Sequence, residues 1–88
     1  MTTDFENLRQ RELTRIARAQ KICDDYTQMR KEMPQAKKYT IMGAMAAAYA
    51  KMNDETIARG EHKDNPYLLM PTTTAGIRFI LERNGITD

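Results

Sequence analysis

Apolar residues recur every three or four positions along the first third of the chain, as they do on one face of an α-helix. Phe5, Leu8, Ile16 and Cys23 belong to this pattern, and neither Gly nor Pro occurs before Pro34. This pattern predicts a long N-terminal helix, or two helices with an unmarked break, that ends near the proline. The apolar positions shift from one face of the helix to a neighbouring one along its length, which suggests that its two halves have different packing partners. We therefore expect residues 1–20 to project from the rest of the domain.

The middle of the chain is rich in Ala and Met, which favours a second helix after the proline. Asn53 can begin a further helix as its N-cap, because its side-chain oxygen can accept from the free amides of the next turn. We therefore predict two helices that meet at a turn near Lys51. Helices that cross closely need a small residue between them, and Ala47 is predicted to lie at that point.

The helical periodicity is lost over residues 60–71, where Gly and Pro residues are typical of a loop. Three threonines then precede a last helix from Ala75 to Asn84, which Gly85 is expected to end. With 88 residues, the chain can form one small domain, residues 1–88. The predicted fold class is all-α.

Thr56, Ile57 and Arg59 resemble the T-[VI]-x-R run of many recognition helices. With the Ala-rich helix and the Asn53 cap before them, they resemble the helix-turn-helix of small DNA-binding proteins of bacteria and their phages. The resemblance implies a long N-terminal helix followed by a helix-turn-helix and a C-terminal helix. It also implies that one helix enters the major groove of double-stranded DNA. The residues expected at the DNA from this helix are Asn53, Glu55, Thr56 and Arg59. The same stretch would also suit an ordinary helical hairpin with no role in DNA binding.

Basic side chains occur in clusters that could contact phosphates. Three of them are spaced to share one face of the first helix, and two lie at the start of the second helix. The candidates for phosphate contact are Arg11, Arg15, Arg18, Lys37, Lys38 and Lys51. A charge run of this kind is also typical of an ordinary solvated helix surface.

The last helix is an alternative recognition helix. Its start has a threonine cap and small residues that would permit close approach to a duplex, and Arg78 follows. Asp54 and Glu55, in contrast, place two negative charges at the start of the Asn53 helix. The alternative DNA-binding residues are Thr73, Thr74 and Arg78. This alternative needs an insertion of about twenty residues in the turn, so the Asn53 helix is preferred.

Composition excludes several classes of protein. The 14 basic and 12 acidic residues leave a net charge of +2, so any nucleic-acid surface must come from local clustering of charge. One cysteine, Cys23, cannot form an internal disulfide and fits a reducing cytoplasm. No apolar run approaches the roughly 20 residues that span a bilayer, so we expect a cytoplasmic protein that does not bind membranes.

The sequence lacks the paired nucleophile and base, the glycine-rich phosphate loop and the clustered His and Cys ligands of enzymes and metal sites. We expect no catalytic activity, cofactor, metal or small-molecule substrate. The preferred function is DNA binding, as a transcriptional regulator or a phage DNA-packaging or recombination factor. The alternative is a non-catalytic protein-interaction module, such as a phage-encoded inhibitor or a structural adaptor. A homodimer is expected in the first case, through the apolar residues Phe5, Leu8 and Leu13.

Overall fold

The computed structural model describes residues 3–87, and every regular element in that range is helical. Its three α-helices are α1 (Thr3–Glu32), α2 (Lys38–Arg59) and α3 (Thr74–Arg83). A short turn joins α1 to α2. A longer connecting segment (residues 60–73), which includes two short 3₁₀ helices, joins α2 to α3. The predicted all-α fold and the long N-terminal helix are confirmed.

The predicted turn near Lys51 is wrong, because α2 continues through this position without a break. The segment contains several Ala residues and no Pro, so its helix propensity is high and nothing local ends the helix there. Instead, α2 ends at Gly60, whose φ of 74° lies in the left-handed region and whose N–H donates to the Ile57 carbonyl oxygen. The helix-turn-helix expected at Asn53 is therefore not formed.

Asn53 is a buried residue of α2 rather than the start of a helix, and only 9% of it is exposed. Its side-chain amide pairs with the backbone of Met70 in the connecting segment. Nδ2 donates to the Met70 carbonyl oxygen and Oδ1 accepts from the Met70 N–H, both at 2.8 Å. The side chain thus satisfies a donor and an acceptor that no helix or sheet supplies with partners.

The core lies where the second half of α1 meets α2 and α3. Ala47 is exposed, so its predicted position at a helix crossing is wrong. The buried stripe of α2 runs along Ile41, Met45 and Tyr49, and Ala47 lies on the opposite face because of the helical repeat. The buried hydrophobic residues are Ile22, Tyr26, Ile41, Met42, Met45, Tyr49, Met70, Ile77 and Leu81.

The connecting segment also packs against α1, with Asn65 at the contact. Asn65 Nδ2 donates to Thr14 Oγ1 at 2.9 Å, and its Oδ1 accepts from the Tyr67 N–H at 3.2 Å. Residues 4–10 precede this contact on α1 and are exposed throughout. The connecting segment is therefore held from both sides, by Thr14 of α1 and by α2.

Both ends of α3 are capped. Thr73 Oγ1 accepts from the Gly76 N–H at 3.0 Å, which satisfies one free amide of the first turn. At the other end Gly85 has a φ of 90°, and the Ile86 N–H donates to the Leu81 carbonyl oxygen at 2.9 Å. This left-handed stop confirms the predicted role of Gly85.

Replacement of Asn53 by Ala should lower the free energy of unfolding by about 1–3 kcal/mol, because it leaves buried backbone groups of Met70 without partners. Ala47→Leu is the control, and should change stability by less than about 0.5 kcal/mol because the position is exposed. Urea denaturation of both variants measures this difference. Equal stability of Asn53→Ala and the wild-type protein would contradict the role assigned to the pair.

Tyr49 of α2 is tied to α1 by a hydrogen bond. Its hydroxyl donates to Asp25 Oδ2 at 2.7 Å, and Asp25 also lies 3.2 Å from the Lys21 ammonium. Burial of the phenol, followed by this hydrogen bond, raises the pKa of Tyr49 far above its ordinary value. The folded protein therefore keeps this phenol protonated in a pH range where the unfolded chain loses the proton.

The raised pKa makes stability fall as the pH rises above about 10, where the unfolded chain ionises Tyr49 and the folded chain does not. Tyr49→Phe should lower the free energy of unfolding at neutral pH by about 1 kcal/mol. It should also make the alkaline loss of stability shallower than in the wild type. Tyr39→Phe, at an exposed position, is expected to have neither effect. Urea denaturation from about pH 7 to about pH 11 tests both expectations.

Candidate nucleic-acid interface

The two faces of α3 differ sharply in character. Ile77 and Leu81 are fully buried against α1 and α2. On the outer face, Ala75, Arg78 and Phe79 are exposed at the spacing of one helical stripe. The inner face of α3 is therefore packed in the core, and its outer face exposes an arginine and an aromatic ring to solvent.

Phe79 separates two clefts on either side of α3, and 59% of its surface is exposed. The aromatic cleft, of about 310 Å³, lies between α3 and the start of α2. The arginine cleft, of about 240 Å³, lies between α3 and α1. The aromatic cleft is lined by Tyr39, Met42, Thr74, Ala75, Arg78, Phe79 and Glu82. The arginine cleft is lined by Arg15, Arg18, Ala19, Phe79, Ile80, Arg83 and Asn84.

Arg83 is the most available cation of the arginine cleft. Its guanidinium carbon lies 5.4 Å from the centre of the Phe79 ring, within the range of a cation–π contact. No carboxylate in residues 3–87 forms a salt bridge with it. A guanidinium held over a ring keeps its hydrogen-bond donors at the ring's edge free for an anion.

Arg15 reaches the same cleft but is paired with a carboxylate. Its Nε donates to Glu12 Oε2 at 3.2 Å, and a second, shorter bond joins the two groups. The hydrogen bonds from Arg15 lower the pKa of Glu12, and the same pair raises the pKa of Arg15. Both side chains are about half exposed, so a competing anion could replace the carboxylate at small cost.

Arg11 and Arg18 hold the connecting segment and do not extend freely into solvent. Arg11 Nε donates to the carbonyl oxygen of Asp64, and Arg18 Nη1 donates to that of Leu69, both at 3.1 Å. Arg18 also lies over the Tyr67 ring, with 5.2 Å to its centre, and burial lowers its pKa. The arginines of the predicted α1 face thus have different partners: Arg11 and Arg18 bond the connecting segment, and Arg15 pairs with Glu12 at the surface.

The residues predicted to read DNA from α2 are not brought together as a binding surface. Asn53 is buried and fully engaged, as described above. Thr56 is half-buried, and its hydroxyl donates back to the Met52 carbonyl oxygen at 3.2 Å. Arg59 forms a salt bridge with Glu61, which raises the pKa of Arg59.

Lys51, Glu55 and Arg59 share one exposed face of α2 in which the sign of the charge alternates. Such a face attracts an anion weakly, because each cation has a nearby carboxylate. Arg59, at the end of this face, lies about 30 Å along the helix from Tyr39, which lines the aromatic cleft beside α3.

Lys37 and Lys38 lie at the start of α2, next to the aromatic cleft. Lys37 is the N-cap residue and its side chain makes no capping hydrogen bond. The first turn of α2 contains no acidic residue. Its free amides and the two ammonium groups therefore favour an anion at this end of the helix.

The alternative residues at the start of α3 have different roles. The Thr73 hydroxyl is occupied by the Gly76 amide, whereas Thr74 is half-buried in the aromatic cleft. Arg78 is exposed, and its Nε lies 3.0 Å from Glu82 Oε1. Of the three, only Arg78 presents a charged donor at the surface.

Sequence reasoning missed Arg83, Phe79 and Tyr39 as members of this surface. The four-residue separation of Phe79 and Arg83 was a local signal, because side chains at that spacing are neighbours on a helix. Nothing local could connect either of them to Arg15 or Tyr39, which approach only through the packing of α3.

Residues 3–87 contain no cluster of three or more His, Cys, Asp or Glu side chains arranged to hold a metal ion. No helix among them is long and apolar enough to cross a membrane.

Comparison with known proteins finds no relative for this chain. No protein-family model matches it, and neither curated proteins nor solved structures are significantly similar to it.

Proposed function

We propose that this protein binds double-stranded DNA through α3 and the two clefts beside it. The observation that carries the proposal is the local excess of positive charge. Four arginines line the two clefts, and two carboxylates oppose them: Glu82 in the lining, and Glu12, which pairs with Arg15. The whole chain has a net charge of only +2, so this charge is concentrated at one place.

The shape of the surface supports contact with a duplex. The exposed stripe of α3 projects between the clefts, where Arg78 could reach base edges in the major groove. Arg83 and Arg15 on one side, and Lys37 and Lys38 on the other, would contact the flanking phosphates. Phe79 would supply an apolar contact beside Arg78, as with a thymine methyl group.

The proposal moves the DNA contact from the Asn53 helix to α3. The residues of α2 that the resemblance implied are buried, self-paired or balanced by carboxylates. A transcriptional regulator and a phage packaging or recombination factor would both use such a surface. Preference for one DNA site over scrambled duplexes would favour the regulator.

A second candidate function is a protein-interaction module. The observation that favours it is the exposure of large apolar residues on the first half of α1, where Phe5 is 71% and Leu8 is 64% exposed. Capture of a protein partner by these residues would be insensitive to salt, whereas binding to phosphates weakens steeply as salt rises. The salt dependence therefore separates the two functions.

Arg83→Ala should weaken binding to all duplexes and reduce the slope of log K against log salt by about one, because one phosphate contact is lost. Arg59→Ala is the matched control, since this arginine is also exposed but lies at the far end of α2. Titration of both variants with random duplex DNA at several salt concentrations provides the measurement. A loss of affinity for Arg59→Ala with none for Arg83→Ala would place the contact on α2 and refute the proposal.

Glu82→Gln should strengthen DNA binding at low salt, because it releases Arg78 and removes the one carboxylate that lines the clefts. Glu61→Gln is the control: it releases Arg59 from a similar exposed ion pair, and should leave affinity unchanged. The gain for Glu82→Gln should shrink as salt is raised, since exposed charges are screened within about 10 Å at 0.1 M salt. Equal gains from the two variants would indicate a general effect of net charge and contradict a site at α3.

A further inference from the structure

The first half of α1 carries a face of large apolar residues that the rest of the chain does not cover. Phe5, Leu8, Leu13 and Ile16 form this face, here named the α1 stripe, and each is more than half exposed. The packing face of α1 is a different one, with Thr14 and Arg18 at the connecting segment and Ile22 in the core. Several large apolar side chains exposed on one helix face favour an interaction site there.

The spacing within the stripe is that of a helix which pairs with another helix. Phe5, Arg9, Glu12 and Ile16 are separated by four, three and four residues, which is the repeat of a two-helix seam. The seam is apolar at both ends and carries one cation and one anion in the middle. Leu8 and Leu13 lie on its two edges.

This order of residues is complementary to itself only when two copies run in opposite directions. In an antiparallel pair, Phe5 meets Ile16 of the second copy, and Arg9 meets Glu12 of the second copy. A parallel pair in register would place Arg9 against Arg9 and Glu12 against Glu12, which is repulsive. We propose that two copies of the chain associate through the α1 stripe as an antiparallel helix pair.

The pairing has the symmetry of a closed dimer. A two-fold axis passes between Arg9 and Glu12, so each contact occurs twice and no surface is left to extend the assembly. Residues 4–10 are exposed, and so a second helix can approach without displacing other elements. Glu12 also bonds Arg15 of its own chain, but that pair is half exposed and can share its carboxylate at little cost.

The dimer does not depend on the proposed DNA contact, which uses α3 and the clefts. Its test is the association state of the full chain without DNA. Sedimentation equilibrium of the wild-type protein at micromolar concentrations should give a dimer. A monomer over the whole range would overturn the proposal.

Ile16→Asp should raise the dissociation constant of the dimer by about tenfold or more, because it buries a charge in the seam. Ile57→Asp is the matched control, since Ile57 of α2 is 49% exposed and Ile16 is 54% exposed. Circular dichroism checks that both variants keep their helices. Equal weakening by the two variants, or none by Ile16→Asp, would refute the α1 stripe as the interface.

Charge exchange tests the antiparallel direction and leaves the apolar residues untouched. Arg9→Glu alone and Glu12→Arg alone each oppose like charges, so each should weaken the dimer by about tenfold. The double variant with both changes restores opposite charges across the two-fold axis, and should dimerise as the wild type does. A double variant that stays as weak as the single variants would overturn the antiparallel pairing.

Cross-linking gives an independent measure of direction in a Cys23→Ser background. A mixture of Arg9→Cys chains and Glu12→Cys chains should form the disulfide between unlike chains, because these positions face each other in the antiparallel pair. A disulfide confined to like chains would show a parallel arrangement and refute the proposal.

Discussion

The paired hydrogen bonds between Asn53 and the backbone of Met70 fix the connecting segment to α2, just before the chain enters α3. Met70 belongs to the core. Its N–H donates to the Asn53 side chain of α2, and its carbonyl oxygen accepts from the same side chain. Only three residues separate Met70 from the start of α3 at Thr74, so α3 must begin close to this point. One buried amide therefore ties the segment that leads into α3 to α2, and its loss would leave polar groups unsatisfied in the interior.

Two arginines of α1 also supply hydrogen-bond partners to the backbone of the connecting segment. A segment with little regular structure has carbonyl oxygens without partners, and Arg11 and Arg18 donate to two of them. Guanidinium groups suit this task, because they remain charged when half-buried and offer several donors. The cost is that these two side chains are less free to bind an external anion. Arg15 lies on the same face of the helix but pairs with Glu12 and is not used in this way.

The proposed functions rest on a separation of surface types. Cations with few opposing carboxylates gather around α3, and uncovered apolar groups gather on the first half of α1. The first surface would act through electrostatic attraction, which salt weakens, and the second through removal of apolar area from water, which salt affects little. A chain of this size can hold both because its core occupies only the second half of α1 together with α2 and α3.

The sequence by itself determined the elements whose signals are local. The uninterrupted pattern before Pro34 predicted α1, the threonines and Gly85 predicted both ends of α3, and the loss of periodicity predicted the loop. Asn53 shows the limit of such signals, because the same side-chain amide can cap a helix or bind a distant backbone. Which of these two roles it takes depends on Met70, which is its partner only in the folded structure. Local sequence likewise does not indicate that one cleft contains Arg15, Phe79 and Arg83. They become neighbours because core residues of α1 and α3 pack together, namely Ile22, Ile77 and Leu81. Contacts between residues far apart in the chain depend on how the helices pack, and that packing is decided in the tertiary structure.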